Sequence, residues 1–316
     1  MGASRKVPLA IIGGGPAGIT AAIYAVRAGL DAELIERGVP GGQVFSADRI
    51  ENFPGFPDGI TGPELSERMH AQARKLGARI VQDEVTSADL AGKEKRLELG
   101  SGDRLESEAV ILATGSRPHT LGVPGEREFR GRGVSYCATC DGNFFRDLRV
   151  AVIGGGNSAV QEAHMLSHLC REVFIIHRRS QFRAQECLAQ AALARPNVKA
   201  IWETVVERME GGQALERLAL RHAVTGERSL LPVEGAFVYV GIKPLTDLFR
   251  GQIELTPEGH IRAGDDTRTS APGVFAAGDV RDKLARQIAT AVGDGATAIR
   301  AVEIYFIEQG LTCRYA

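Results

Sequence analysis

An α/β fold is predicted for this 316-residue chain by three features. Two Gly-rich turns each sit between an apolar strand and an Ala-rich helix; an acid follows one turn and a basic cluster the other; and three further apolar strands end in glycine. Residues 9–37, LAIIGGGPAGITAAIYAVRAGLDAELIER, and residues 150–179, VAVIGGGNSAVQEAHMLSHLCREVFIIHRR, form an approximate internal repeat. Each copy reads as half of a nucleotide-binding βαβ unit. The sequence therefore predicts two Rossmann-like nucleotide-binding domains, three-layer in build, with small antiparallel β additions. The length agrees, since it exceeds one core and suits two domains of roughly 150 residues.

In the first turn Gly13 permits the bend, Gly15 lets backbone N–H groups approach a pyrophosphate, and Gly18 lets the helix pack closely on its strand. Pro16 and Ala17 complete this candidate cofactor turn. In the second, Gly154, Gly156 and Ala159 take the same three parts, with Asn157 and Ser158 between them. Counting 23 residues from Gly13 reaches Glu36, an acid suited to a ribose 2′-hydroxyl. The same count from Gly154 reaches His177, followed by Arg178 and Arg179, with Arg183 further on. The first site should repel a 2′-phosphate and the second should attract one, which favours NADPH over NADH. The plain alternative is that Arg178 and Arg179 form a solvated strand end.

Two nucleotide sites in one chain suggest electron transfer from a nicotinamide to a bound flavin. The segment AVILATGSRP at 109–118 reads as a buried strand running into Ala113, Thr114 and Gly115; PGVFAAGDV at 272–280 repeats the pattern up to Gly278 and Asp279; AFVYVGIKP at 236–244 repeats it at Gly241. These place one domain at 1–117 plus 246–316 and a second, inserted, at 118–245, with hinges near Pro118 and Pro244. Residues 84–107 and 201–230 alternate and are charged, as antiparallel β additions do.

Composition narrows the function. With 44% hydrophobic and 24% charged residues the chain is of ordinary globular make, and a net charge of −1 gives no electrostatic reason to expect nucleic acid or an anionic membrane. No charge occurs from Val7 to Val26, but Gly13, Gly14, Gly15, Pro16 and Gly18 interrupt the run, so neither a signal peptide nor a spanning helix is expected. Lys6 stands where a myristoylation motif wants Ser or Thr. Five cysteines, an odd number in a long chain, point to a reducing cytoplasm rather than a disulfide framework.

The close pair Cys137 and Cys140, in VSYCATCDGNFF, can form a disulfide, and the spacing at a helix start stabilises a thiolate. Zinc needs four ligands, and no second C-x-x-C exists to complete a site with the pair, so no metal site is expected. Two unreactive core thiols are the remaining alternative, against which the glycines and polar residues around the pair count. Asp141 is placed either to handle a proton as the disulfide opens or simply to end a helix. Cys170, Cys187 and Cys313 have no partners in sequence and read as small core residues.

These residues together resemble a known family, the low-molecular-weight bacterial-type thioredoxin reductases. The resemblance rests on GGGPAG at 13–18, GGQ at 41–43, ENFPGF at 51–56, ATG at 113–115, GRGVSYCATCDG at 131–142, GGGNSA at 154–159, HRRSQFRA at 177–184 and AAGDVRDKLARQIATAVGDGA at 276–296. It implies a homodimeric FAD enzyme that passes electrons from NADPH through flavin and the cysteine pair to thioredoxin. It adds Gly42, Gln43, Asn52, Arg286, Gln287 and Ile288 to the FAD-lining set with Asp279, and makes Cys140 the sulfur nearest the flavin, Cys137 its partner and Asp141 the acid. It further implies rotation of the inserted domain, since disulfide and nicotinamide must take turns at one flavin. Arg130, Arg132, Phe144 and Phe145 flank the pair and are candidates for a partner surface. Asn157 and Gln161 replace an Asp and a Glu common in the family, which leaves NADPH against NADH preference open, while the HRR at 177–179 argues against ferredoxin-dependent relatives. Partner choice lives in surface contacts, so a glutaredoxin-like or peroxiredoxin-linked acceptor is the rival enzyme reading. A flavin-bound redox sensor that turns over nothing is the rival from another class.

Overall fold

The computed structural model describes residues 2–47 and 49–311. Its α/β chain divides into two compact units, one formed by Met1–Arg117 with Lys243–Ala316 and the other by Pro118–Ile242.

In the first unit the strands Arg79–Gln82, Ala32–Glu36, Ser4–Ile12 and Arg104–Leu112 lie side by side, all parallel. The far edge of Arg104–Leu112 is shared. Its first half pairs antiparallel with Lys95–Leu99, which pairs in turn with Val85–Asp89, and its second half pairs parallel with Val274–Ala276. The β additions expected at 84–107 thus extend the parallel sheet.

Period-2 alternation sorts the strand residues into layers. Leu9, Ile11, Ala109, Ile111 and Phe275 point to the face covered by the helices Pro16–Arg27 and Ile288–Glu308. Ala10, Ile12, Val110 and Leu112 point to the other face, closed by Leu97, Leu105, Phe249 and Ile261. Each such aliphatic, taken fully out of water, contributes roughly 1.5–3 kcal/mol. The two helices meet where Gly295 abuts Ala17: a Cβ on Gly295 would lie 2.3 Å from the Ala17 carbonyl oxygen.

The second unit repeats the plan. Five parallel strands run in the order Val198–Ile201, Glu172–Ile176, Arg149–Gly154, Gly235–Tyr239, Val134–Ser135. Val150 and Val152 face the helices Asn157–Leu166 and Glu186–Leu193, while Ala151 and Ile153 face the other side. That side is covered by an antiparallel sheet of Thr204–Gly211, Leu215–His222 and Arg228–Pro232, in the region where an antiparallel addition was expected.

The chain passes between the units along the strands Ser116–Pro118 and Ile242–Pro244, which pair with each other. His119 N–H donates to Gly241 O at 2.9 Å within one unit, and Leu245 N–H to Gly115 O at 3.0 Å within the other. No helix among the described residues is long and apolar enough to cross a membrane.

Candidate active site

The first Gly-rich turn follows the strand Ser4–Ile12. Gly13 has φ 107°, which favours glycine, and a Cβ there would lie 2.5 Å from the Ala113 carbonyl oxygen. A Cβ on Gly18 would lie 1.8 Å from Gly13 O, so the helix can approach its strand only at a glycine. Gly15 differs: a Cβ there meets nothing within 4 Å. Pro16 opens the helix Pro16–Arg27, whose N-cap Gly15 supplies no side-chain acceptor and whose first turn holds no acid. Its first N–H groups are thus left for an external acceptor. The Glu36 carboxylate accepts from Gly14 N at 2.5 Å and Gly38 N at 2.8 Å, pinning the turn to the end of the second strand.

Other residues of the first unit converge on this turn. Gly41 N donates to Gly14 O at 2.8 Å, and a Cβ on Gly42 would lie 3.4 Å from Gly15 Cα. Gln43 donates to Ser116 O. Thr114 Oγ1 donates to Leu245 O at 2.8 Å beside Ala113 and Gly115. Asn52 Nδ2 donates to Gln287 Oε1 at 3.1 Å, and Ile288 packs against Ile50, Ile60 and Leu65. Gly278, with φ 80°, leaves 3.0 Å between its absent Cβ and that of Ala17. Next to it, Asp279 Oδ1 is buried without a hydrogen-bond partner among the described residues, and so is Arg286 Nε. Burial raises the Asp279 pKa against the pull of Lys283 and Arg286. Buried polar atoms left without partners beside an uncapped helix start fit a polar ligand such as a dinucleotide.

The second turn is built alike. Gly154 has φ 151°, and a Cβ there would lie 2.3 Å from Tyr239 O and 3.0 Å from Ala159 Cβ. A Cβ on Gly156 meets nothing within 4 Å, and the helix Asn157–Leu166, with Ser158 in its first turn, has no side-chain cap. Asn157 Oδ1 accepts from Gln185 N at 2.8 Å. Gly241, at φ 128°, closes the neighbouring loop against His119. Arg183 N donates to Gly155 O at 2.7 Å, which brings that arginine to the turn. Arg178, Arg179 and Arg183 are exposed, and among the described residues none of their guanidinium groups forms an ion pair. His177 behaves otherwise. Its ring is buried against Phe182 and Trp202, and burial lowers its pKa, with the three arginines adding to the shift.

Cys137 and Cys140 are joined as a disulfide, with 5.2 Å between their Cα atoms. Cys137 is the N-cap of a one-turn helix, Ala138–Asp141. Ser135 Oγ donates to Asp141 Oδ2 at 2.5 Å and accepts from Cys137 N at 3.0 Å, so one hydroxyl ties the carboxylate to the cysteine backbone. Tyr136, next to Cys137, donates to the buried Glu126 at 2.9 Å, and Arg130 lies over its ring.

Several residues here have roles that the reading of the sequence does not assign. Asp294 accepts from Gly278 N, Arg281 and Lys283 at 2.9, 3.1 and 2.7 Å and so fixes the Gly278–Asp279 loop; its only signal is an acid between two glycines in a helix. Tyr239 reads as a strand residue and Ser135 only as part of the segment around the cysteines, although both stand at carboxyl ends of parallel strands, where such sheets place ligands. Of the four flanking candidates, Phe144 is exposed, whereas Phe145 packs edge-on against Phe237 and fills the space beside Gly235. Arg132 is occupied with the carbonyls of Gln213 and Glu128. Cys170 is buried as expected, its thiol pushed up to about 11. Cys187 is exposed, so the core reading of it is corrected: it stands in the first turn of a surface helix. Cys313 lies outside the described residues.

Residues 7–295 match the family model "Pyridine nucleotide-disulphide oxidoreductase". The chain is 47% identical over 290 residues to a thioredoxin reductase of Streptomyces coelicolor, covering 91% of this chain and 90% of that protein. It is 44% identical over 299 residues to one of Listeria innocua, covering 94% and 93%. A crystal structure of thioredoxin reductase from Streptococcus pyogenes superimposes with TM-score 0.90 at 42% identity, covering 96% of this chain and 99% of that one. Flavin and nicotinamide nucleotide use follows from the family. The chain belongs to the pyridine nucleotide-disulphide oxidoreductases and, within them, to the thioredoxin reductases.

Proposed function

We propose that the chain carries electrons from NADPH, by way of FAD and the Cys137–Cys140 disulfide, to oxidised thioredoxin. The observation that carries this reading is the redox disulfide itself, standing on the unit whose Gly-rich turn is flanked by three arginines free of ion pairs. The domain at 1–117 plus 246–316 is the FAD domain and the inserted domain at 118–245 the NADPH domain. FAD, when bound, supplies the two-electron chemistry that links a nicotinamide to a disulfide.

The chain's own residues bind and orient. The N–H groups at the start of Pro16–Arg27 and of Asn157–Leu166 hold the two pyrophosphates. Each Glu36 oxygen keeps a lone pair for a ribose hydroxyl beyond the loop N–H it accepts. Asn52, Gln43, Asp279 and the segment Arg286–Ile288 line the same nucleotide, and Arg178, Arg179 and Arg183 clamp the 2′-phosphate of the other. Asp141, aimed by Ser135, holds the proton exchanged as the disulfide opens and closes. The cysteine pair and the nicotinamide turn share the inserted unit, so both reach one flavin by rotation of that unit about the crossings near Pro118 and Pro244. A homodimer working in the cytoplasm completes the proposal.

The test is an anaerobic spectrum of the purified protein with NADPH or NADH added in parallel, followed by turnover with thioredoxin. Rapid bleaching of flavin absorbance by NADPH, with thioredoxin reduced thereafter, is the expected result. Bleaching without thioredoxin turnover would move the acceptor to another disulfide protein; no bleaching with either nucleotide would remove the nicotinamide donor.

A further inference from the structure

The one-turn helix that carries the disulfide is held by three side-chain ties. Ser135 Oγ reaches Asp141 Oδ2 at 2.5 Å. Thr139 Oγ1 reaches both Glu162 oxygens at 3.3 Å. The Tyr239 hydroxyl oxygen accepts the Ala138 N–H at 2.6 Å, one residue from Cys137. The third tie differs in kind. A phenol both accepts and donates, and the Tyr239 O–H has no acceptor among the described residues. Tyr239 closes the strand Gly235–Tyr239, which lies between Arg149–Gly154 and Val134–Ser135, and packs on the core of the inserted unit, so its position is fixed by the sheet. Burial raises its pKa, and the charges of Glu162 and Asp141 add to the rise, so the hydroxyl stays protonated at neutral pH.

We propose that Tyr239 is a positioning residue of the redox pair: it anchors the helix start through Ala138 and keeps beside Cys137 a hydrogen-bond donor that is available to the thiolate formed when the disulfide opens. Opening breaks the S–S bond with uptake of two electrons and one proton and leaves one thiol and one thiolate. The electrons come from the reduced flavin of the proposed function, or from a dithiol reagent in the test, and the proton from Asp141 or solvent. Tyr239 transfers no proton; its O–H turns to the new thiolate. A donor that has no protein acceptor in the oxidised state and bonds the thiolate in the reduced state favours reduction, as a stabilised thiolate does in other dithiol pairs. This inference rests on the cysteine pair being the redox centre.

The test compares wild type with Y239F, which removes one oxygen and keeps the ring, and with T139V, which cuts another tie of the same helix. Each flavoprotein is equilibrated with oxidised and reduced dithiothreitol, and the disulfide fraction is read by mass spectrometry. The pH dependence of iodoacetamide alkylation at Cys137 and Cys140 is read site by site on the reduced protein. For Y239F the reduced form becomes about tenfold less favoured, a shift of about 30 mV to more negative potential, and the more acidic thiol titrates about one pH unit higher. T139V leaves both near wild type. An unchanged potential and titration in Y239F, or equal shifts in both variants, would overturn the proposal by making the phenol a structural prop alone. Neither readout involves NADPH or thioredoxin, so a failure of the proposed activity is distinguishable from a failure here.

Discussion

A methyl group on Gly155 would lie 2.3 Å from Nδ1 of His177, because the buried imidazole fills the space beneath the second Gly-rich turn. Phe182 and Trp202 hold the ring from the sides, so it has no room to withdraw. One residue later the situation reverses, since Gly156 has only open space before it. Gly155→Ala is therefore expected to destabilise the fold by about 1–3 kcal/mol through overpacking. Gly156→Ala should leave the melting temperature unchanged and weaken nicotinamide nucleotide binding on the order of tenfold or more, because the new methyl group occupies ligand space. Thermal melts and nucleotide titrations of the two variants separate the effects; equal loss of stability in both would remove the ligand-space reading of Gly156.

Arg178 and Arg179 are exposed and form no ion pairs among the described residues, so removing them breaks no interaction of the fold. Replacing both by Ala is expected to raise KM for NADPH by roughly 10–100-fold, the equivalent of a lost charge-assisted contact of about 1.5–3 kcal/mol, and to change KM for NADH little. Steady-state assays with both nucleotides check this. Equal effects on the two would take the 2′-phosphate away from these arginines.

Cys140→Ser removes the disulfide without touching either nucleotide turn. Flavin reduction by NADPH should persist in stopped-flow traces while thioredoxin reduction disappears. Retained thioredoxin turnover would mean that electrons leave by a route other than this sulfur.

His70, His177 and His260 are all buried, and burial lowers each from its ordinary value of 6.5. Arg74, Arg183 and Arg286 respectively push each further in the same direction. The folded chain thus binds fewer protons at these sites than the unfolded chain once the pH drops below the ordinary value. Stability is fully present above about pH 6.5 and falls as the pH goes lower, toward the depressed folded values. Melting temperatures from about pH 7.5 down to about pH 5 should decline, and His177→Phe should flatten part of the slope. A profile as steep in that variant as in wild type would exclude His177 as a contributor.

The two free thiols differ in the same physical terms. Cys187 is exposed and Cys170 buried, with its thiol pushed up to about 11. Iodoacetamide at neutral pH should label Cys187 in the folded protein and reach Cys170 only after denaturation, as peptide mass spectrometry would show. Labelling of Cys170 at a comparable rate would indicate that its segment opens readily.

The parts legible in the sequence are those where the local chain alone dictates the chemistry. Gly13, Gly18 and Gly154 must be glycine for reasons of φ and close approach, and both turns announce themselves by that requirement. Glu36 and His177, the latter leading into Arg178 and Arg179, stand at the same count beyond their turns because a strand–helix–strand unit has a nearly fixed length. The roles of Asp294 and Tyr239 were not legible, because each acts on a backbone group distant in sequence, and that of Ser135 was not, because its hydroxyl meets Asp141 only through the turn that the chain makes after the strand. Tyr239 lies 101 residues from Ala138. The exposure of Cys187 was also beyond reach, since it depends on which face of a short helix packs inward.

By itself, then, the sequence determined two dinucleotide folds, the opposite charges at the ends of their second strands and the redox pair. Local spacing and backbone sterics suffice for these. Only the tertiary structure decided which side chains hold that pair and which polar atoms are left buried without partners, because such contacts form between strand ends that the folded sheet alone brings together.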